Sequence, residues 1–251
     1  MLLDQRRGKI LEILENSGII GLNDLVDKID ASESTVRRDL EYLERIGQIR
    51  RTRGGAAYVG ESLTAFDDRR SQSSRQKQLV ARYAADLIEP GEAVLLDGGT
   101  TTLEVARALS GKSIMVVTNS LPIITLLVNQ PQIELITIGG YIYPKTGVAL
   151  GPLAISALEQ IHVRKLIMST GGLTQLGLFN SNALLVETER QMLKVAEEII
   201  VVCDSSKLGH SALAHLCGLQ SVDRIIIDDG ITDDWRDIIE SAGIQLNVVE
   251  C

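Results

Sequence analysis

Two groups of residues in this chain have types and spacings that could do chemistry, and in both the chemistry is recognition. The first runs from Ser32 to Arg53. Ser34, Thr35, Arg37 and Arg38 stand together, short hydroxyls beside two long cations, and Arg50, Arg51 and Arg53 follow in the segment IRRTRGGAA. A guanidinium group can bond guanine O6 and N7 together or pair with phosphate oxygens, so the grouping suits a nucleic-acid duplex. The second group is Gly98-Gly99-Thr100-Thr101-Thr102, which follows Asp97 at the end of the apolar run AVLLD. A permissive turn, clustered hydroxyls and the free amides of a helix start attract an anion such as a phosphate. The same residues are also what a tight strand-to-helix turn and its cap need without any ligand.

The elements that must position the first group are legible around it. Leu22, Leu25, Val26 and Ile29 recur at helical spacing, as do Val36, Leu40 and Leu43, so two helices each have one buried stripe. Ser32 stands where its hydroxyl can cap the second helix, and Glu33 suits the positive end of the dipole. Opposite the stripe, Ser34, Thr35, Arg37 and Arg38 form the N-terminal face that a helix-turn-helix presents to the major groove. Arg37 and Arg38 are about 100 degrees apart, which gives one to base edges and the other to a phosphate without saying which. The arginine ribbon from Ile49 to Ala57 reads as two short extended pieces around a glycine turn, a wing that carries cations to the flanking backbone. The same arginines could simply solvate a small helical domain; spacing, cap, turn and ribbon agree instead on duplex DNA.

Charge is distributed to match. The formal net charge is -8 over 251 residues, whereas the stretch from Thr35 to Ala57 has a local excess of arginine and the remainder is acidic. A basic footprint confined to one module, with an acidic second module, suits a chain that touches DNA through one part only.

The second group depends on a different architecture. Apolar runs alternate with helical patterns from AVLLD through IMVVT, IELITIG, KLIMST, EIIVVCD and RIIID, ending in a helix over 233–241 and a strand over 244–249. That rhythm predicts an α/β domain with a mostly parallel sheet covered on both faces, in which ligands gather beyond the carboxyl ends of the strands. Further polar residues stand at such ends: Thr118-Asn119-Ser120, Gly139-Gly140, and Asp204-Ser205-Ser206-Lys207. Facing one pocket, they would supply what a sugar phosphate needs. Singly, Asn119 and Ser120 could cap a helix, Gly139-Gly140 could turn, and Asp204 with Lys207 could form a surface pair.

The expected organisation is a winged helix-turn-helix over 1–58, a polar linker over 59–75 and an α/β sensing domain over 76–251. Cys203, Cys217 and Cys251 have no metal-like spacing and an odd count, which suits free thiols in a reducing compartment. His162, His210 and His215 show neither metal spacing nor a triad partner, so no cofactor, metal or catalytic residue is expected. No apolar stretch reaches about eighteen residues, so neither secretion nor a membrane span is supported and a cytoplasmic location is expected.

In QRRGKILEIL, STVRRDLEYLERIGQIRRTRGGA, LLDGGTTT, VVTNS, IGG and DSSKLG, taken in order and spacing, the chain resembles the DeoR family of bacterial transcription regulators over nearly its whole length. The resemblance implies a winged helix joined to a sensor domain similar to the sugar-phosphate isomerase and coenzyme A transferase group. It implies a repressor of sugar catabolism that answers to a phosphorylated sugar. Asp97, Gly99, Thr100, Thr101, Asn119, Gly140 and Lys207 match the positions of effector contacts, with Thr102 in the same loop. An inverted-repeat operator and a homo-oligomer are expected. The chain departs from the family in LLVETERQMLK, where Glu187, Glu189 and Arg190 replace a glutamate and a lysine-arginine pair, and only the arginine matches.

Overall fold

The structure, a computed structural model, describes residues 3–17, 19–45, 49–52, 54–58, 66 and 73–251. By contacts the chain divides into two units, Met1–Ala65 and Phe66–Cys251.

The first unit contains α1 (Leu3–Ser17), β1 (Ile19–Gly21), α2 (Leu22–Ile29), α3 (Glu33–Arg45), β2 (Ile49–Thr52) and β3 (Gly55–Tyr58). The stripes read from spacing meet in one core: Leu25 and Ile29 of α2 pack with Val36, Leu40 and Leu43 of α3 and with Ile10 and Leu14 of α1. Between α2 and α3 the chain turns at Asp30, whose left-handed φ of 53° lets its amide bond back to the Val26 carbonyl at 3.0 Å. An aspartate tolerates that conformation better than a β-branched residue would. The ribbon has a third strand that the sequence reading did not separate. β3 lies between β1 and β2, both antiparallel to it, with Ile20 opposite Ala56 and Arg51 opposite Ala56 on the other side. Gly55 permits this approach, since a Cβ there would stand 2.0 Å from the Ile20 carbonyl oxygen.

The second unit runs α4 (Ser74–Asp86), β4 (Ala93–Leu96), α5 (Thr100–Ala108), β5 (Ile114–Thr118), α6 (Leu121–Leu127), β6 (Ile133–Thr137), β7 (Tyr141–Tyr143), β8 (Val148–Leu150) and α7 (Pro152–Leu158). It continues through β9 (Val163–Met168), β10 (Gly172–Thr174), β11 (Gly177–Asn180), α8 (Ala183–Lys194), β12 (Ala196–Val202), β13 (Ala214–Cys217), β14 (Arg224–Asp228), α9 (Asp233–Ser241) and β15 (Gln245–Val249). Helix α4 begins two residues before the expected domain start at 76. Of the expected linker, only Phe66 and residues 73–75 lie among the described residues.

Seven strands form one sheet in the order β15-β14-β12-β9-β4-β5-β6, and every neighbouring pair is parallel. Alternation along the strands divides the core. Val94, Leu96, Val116 and Ile167 join the layer under α4, α5 and α6, while Leu95, Val117, Leu166 and Met168 join the layer under α7, α8 and α9. Burial on both faces is why these strands are apolar throughout instead of alternating with polar residues. Chain order reverses between β4, which leads to β5 and β6, and its neighbour β9, which leads to β12 and β14. A crevice opens at such a switch, beyond the carboxyl ends of the two strands.

Two antiparallel additions were not expected from the strand-helix rhythm. β7 pairs with β8 as a hairpin after β6, and β10, β11 and β13 form a separate three-stranded sheet. His215 belongs to β13, where its ring meets Phe179 edge-on at 5.1 Å. Cys203, Cys217 and Cys251 are free thiols. No helix among the described residues is long and apolar enough to cross a membrane.

Candidate functional site

The residues read as a duplex-facing group lie on α3 and the ribbon. Ser32 precedes α3, and its carbonyl accepts the amides of Thr35 at 2.9 Å and Val36 at 3.0 Å. Its hydroxyl, expected on a first-turn amide, instead lies 2.8 Å from the Thr35 hydroxyl and 3.1 Å from that of Ser34. The three hydroxyls therefore cluster at the helix start. Arg37 is exposed and pairs with Glu33 one turn back, Nη2 to Oε1 at 2.7 Å. Arg38, also exposed, donates from Nε to the Ser34 carbonyl at 3.3 Å.

On the ribbon, Arg51 donates from its amide to Glu44 at 2.9 Å and from Nη1 to Glu41 at 3.1 Å. Arg50 stands opposite Ala57 on β2, and Arg53 lies outside the described residues. Arg37 and Arg51 line one cleft of about 260 Å³ between α3 and the ribbon, together with Leu40 and Gly54. Solvent-exposed ion pairs of this kind are worth about 0–1 kcal/mol, so phosphate oxygens can displace the glutamates at little cost.

Opposite this face is a contact that sequence reasoning missed. Asp39, 1% exposed, accepts Nε of Arg6 at 2.5 Å and Nε of Arg7 at 3.1 Å, and the Arg7 guanidinium lies 3.6 Å from the centre of the Tyr42 ring. The acid ties α3 to α1 and sets the angle at which the exposed face is presented. Its position gives the available signal: an aspartate between Val36 and Leu40 interrupts the apolar stripe, and α1 carries two adjacent arginines.

The second group gathers at the carboxyl ends of the central strands. After β4, Asp97 is 1% exposed, and Gly98 and Gly99 pass through space that admits no side chain. A Cβ on Gly98 would stand 2.0 Å from Cγ1 of Val148 and one on Gly99 would stand 2.0 Å from Oγ of Ser169. Helix α5 then begins. Thr102 accepts the Gly99 amide at 2.7 Å and donates to the Gly99 carbonyl at 3.0 Å, so its hydroxyl closes the cap. Thr100 and Thr101 occupy the first turn, 7% and 4% exposed, beside amides that no preceding carbonyl can reach.

Asn119 follows β5, where Thr118 is in register with Leu96 and therefore brings Asn119 beside Asp97. Its Nδ2 donates to the Ala149 carbonyl at 2.9 Å, and its own carbonyl accepts the Ala149 amide at 2.8 Å. The β7–β8 hairpin thus folds back over the strand ends. Gly140 supports it from the other side, since a Cβ there would stand 2.7 Å from the Leu150 carbonyl oxygen.

Lys207 ends a short 3-10 turn, Ser205–Lys207, after β12. Its strand is two places from β4, about 10 Å at ordinary strand spacing. Asp204, for which a surface pair with Lys207 was one alternative, is 3% exposed and accepts the Ser206 amide at 3.2 Å. Asp228 at the end of β14 receives the amide and hydroxyl of Ser205 at 2.6 and 2.7 Å. Asp228 and Ser169 had not been singled out, although both stand at the polar ends of apolar runs already recognised as strands.

The departure in α8 has structural content. Glu187 is exposed, and Arg190 donates to the carbonyls of Leu216 at 3.0 Å and His215 at 2.6 Å. Glu189 points the other way: it is fully buried, and its Oε1 accepts Nδ2 of Asn180 at 2.7 Å. Burial, with the Asp97 charge adding, holds its carboxyl well above the usual carboxylate range. Two acids therefore share the crevice.

Residues 6–62 match the DeoR-like helix-turn-helix domain and residues 72–229 match the DeoR C-terminal sensor domain. An uncharacterised HTH-type transcriptional regulator, YulB of Bacillus subtilis strain 168, is 32% identical over 99% of this chain and 98% of its own. A putative aga operon transcriptional repressor of Escherichia coli O157:H7 is 32% identical over 98% of this chain and 93% of its own. Among solved structures, ribose 5-phosphate isomerase A of Methanocaldococcus jannaschii aligns over 55% of each chain at 19% identity with a TM-score of 0.42. On the domain matches and the full-length relatives, this chain belongs to the DeoR family and is a helix-turn-helix transcriptional regulator with a C-terminal sensor domain.

Proposed function

We propose that the protein represses a sugar-catabolism operon in the cytoplasm and that a phosphorylated sugar, held at the strand ends of the second unit, alters its hold on operator DNA. The observation that carries the reading is the convergence of the Asp97–Thr102 loop and Asn119 at the switch between β4 and β9. Phosphate would meet the first-turn amides of α5 and the hydroxyls of Thr100 and Thr101, where backbone dipoles favour an anion. Gly99 keeps the loop narrow there, and Thr102 holds the cap closed. Asp97 and Asn119 would take sugar hydroxyls, Gly140 would shape the wall, and Lys207 would offset charge from the flank.

In the first unit, Ser32, Ser34, Thr35, Arg37 and Arg38 would enter the major groove, with Arg50, Arg51 and Arg53 along the adjacent backbone. Two copies of the chain would present two such helices to an inverted repeat about one helical turn between centres. The boundaries 1–58 and 76–251, with a connector over 59–75, fit this division of labour.

Phe66 offers a route for coupling. It opens the second unit and lines a groove of about 600 Å³ with Leu103 and Arg107 of α5 and Leu121 and Pro122 of α6. Both helices begin at the proposed effector site. A ligand that tightens their first turns would alter the seat of Phe66 within the connector. Linkage requires that the effector weaken DNA binding by the same factor as DNA weakens effector binding.

The experiment is a titration of fluorescent promoter DNA from upstream of the protein's own gene, with and without a panel of sugar phosphates. Thr100→Val with Thr101→Val should retain DNA affinity and lose the response. A protein that ignores every promoter fragment at modest salt, or a double variant that responds like the parent, overturns the reading.

A further inference from the structure

Buried polar atoms near the end of β4 that have no hydrogen-bond partner among the described residues include Oε2 of Glu189, Oδ1 of Asn119 and Oγ of Ser120. Their residues are 0%, 1% and 1% exposed. A buried polar atom left unmatched costs about 1–3 kcal/mol, so this arrangement persists against a penalty that a ligand would remove. The orientation of each group is already decided. The amide nitrogen of Asn119 is occupied by the Ala149 carbonyl, and the amide nitrogen of Asn180 occupies the other oxygen of Glu189. What is left over is acceptor capacity on Asn119 and, once ionised, on Glu189, with the Ser120 hydroxyl able to act either way.

Contacts through β8 connect these groups. Asn119 brackets Ala149 of β8, Gly98 lies against both Val148 and Ser120, and the Gly151 amide just beyond β8 meets the Thr188 hydroxyl next to Glu189 at 3.4 Å. Asp97, at the same strand end, is near enough for its charge to act on Glu189.

We propose that the effector carries a protonated amino group as well as its phosphate, and that Glu189 and Asn119 receive this ammonium and select it over a plain hydroxyl. The proposal rests on the sugar-phosphate reading above and names its ligand class more closely. A hydroxyl brings one donor and no charge, so it leaves two carboxyl groups crowded in a buried site where only one ionises readily. An ammonium brings three donors and a positive charge. It can satisfy Glu189 Oε2 and Asn119 Oδ1 together and allow both carboxylates to ionise beside it.

In the free protein, burial and the charge of Asp97 oppose ionisation of Glu189. An ammonium beside it favours the carboxylate. The groups facing Glu189 are Asn180 on β11, Asp97 after β4 and Cys217 on β13, none of them a cation. Arg190, next on the helix, is turned to the carbonyls of His215 and Leu216.

The test uses the full-length protein and matched phosphate esters of glucose and galactose, each compared with the 2-amino sugar that differs only by an amine in place of a hydroxyl. Calorimetric titration should give affinity about tenfold higher for an amino member, the worth of one charge-assisted hydrogen bond. Glu189→Gln, nearly isosteric and checked for folding by thermal melting, should bind both members of the pair alike. Equal affinity within each pair for the unaltered protein, or a preference that survives in Glu189→Gln, overturns this proposal and leaves the phosphate site standing. If neither sugar series nor inorganic phosphate binds, the sugar-phosphate reading falls as well.

Discussion

Placing a methyl group on Gly98 should damage the sensor domain in a way that reports on the candidate site. In Gly98→Ala the new Cβ would stand 2.0 Å from Cγ1 of Val148 and 3.3 Å from Cβ of Ser120. Ordinary carbon contacts are about 3.5–4.0 Å, so one of the partners must retreat by about 1.5–2 Å. Val148 is fully buried and cannot swing into solvent. Its strand also holds Asn119 through both polar groups of Ala149, so relief at Val148 displaces a proposed effector contact. Overpacking of this size costs about 1–3 kcal/mol. At about 2–4 °C per kcal/mol for a domain of this length, the sensor transition should fall by about 2–12 °C. Thermal unfolding of the full chain, followed by operator titration well below that transition, separates the effects. Operator affinity should be unchanged and the effector response reduced. Adding Val148→Ala should return part of the loss, because the two positions are in contact and their energies couple. A melting temperature and effector response both equal to those of the parent would refute the close packing of this loop.

Three further outcomes follow from the geometry. Arg38→Ala should weaken operator binding by about 1–3 kcal/mol; a salt slope lower by about 0.9 marks a phosphate contact, an unchanged slope with relaxed sequence preference marks a base contact, and full affinity refutes both. Phe66→Ala should bind effector normally by thermal shift yet transmit less of it to the operator, so unaltered coupling would exclude this route. Glu189→Gln should melt higher than the parent at neutral pH. The folded carboxyl is held above its unfolded value of about 4.3, so its ionisation costs stability as pH rises from about 4 through the folded value, and not below. An advantage for Gln that is largest in acid would contradict that sign.

How much of this was legible beforehand depends on the range of each interaction. The stripes of α2 and α3, the exposed face of α3 with Arg37 and Arg38, and the β4 and β5 strand ends are local patterns of period or punctuation, and they stand in the structure at the expected residues. The β7–β8 hairpin was missed because Tyr141, Ile142 and Tyr143 are largely exposed and give no alternating signal. The small sheet of β10, β11 and β13 joins segments far apart in the chain, and no local rule pairs Leu178 with Cys217. Thr102 was grouped with its neighbours as an effector contact, yet its hydroxyl closes the helix cap, a choice made by the geometry of one turn.

By itself, the order of residues determined the kinds of element, the two modules and the places where polar groups end apolar runs, because burial on one face or two leaves its period in the chain. Tertiary structure alone decided which of those ends became neighbours. Parallel strands are joined through distant helices, so only the sheet order brings Asp97 beside Asn119, draws β8 across them and turns Glu189, not Glu187, inward. A carboxyl's environment follows from what the fold packs around it, and that information is not carried by the residue or its sequence neighbours.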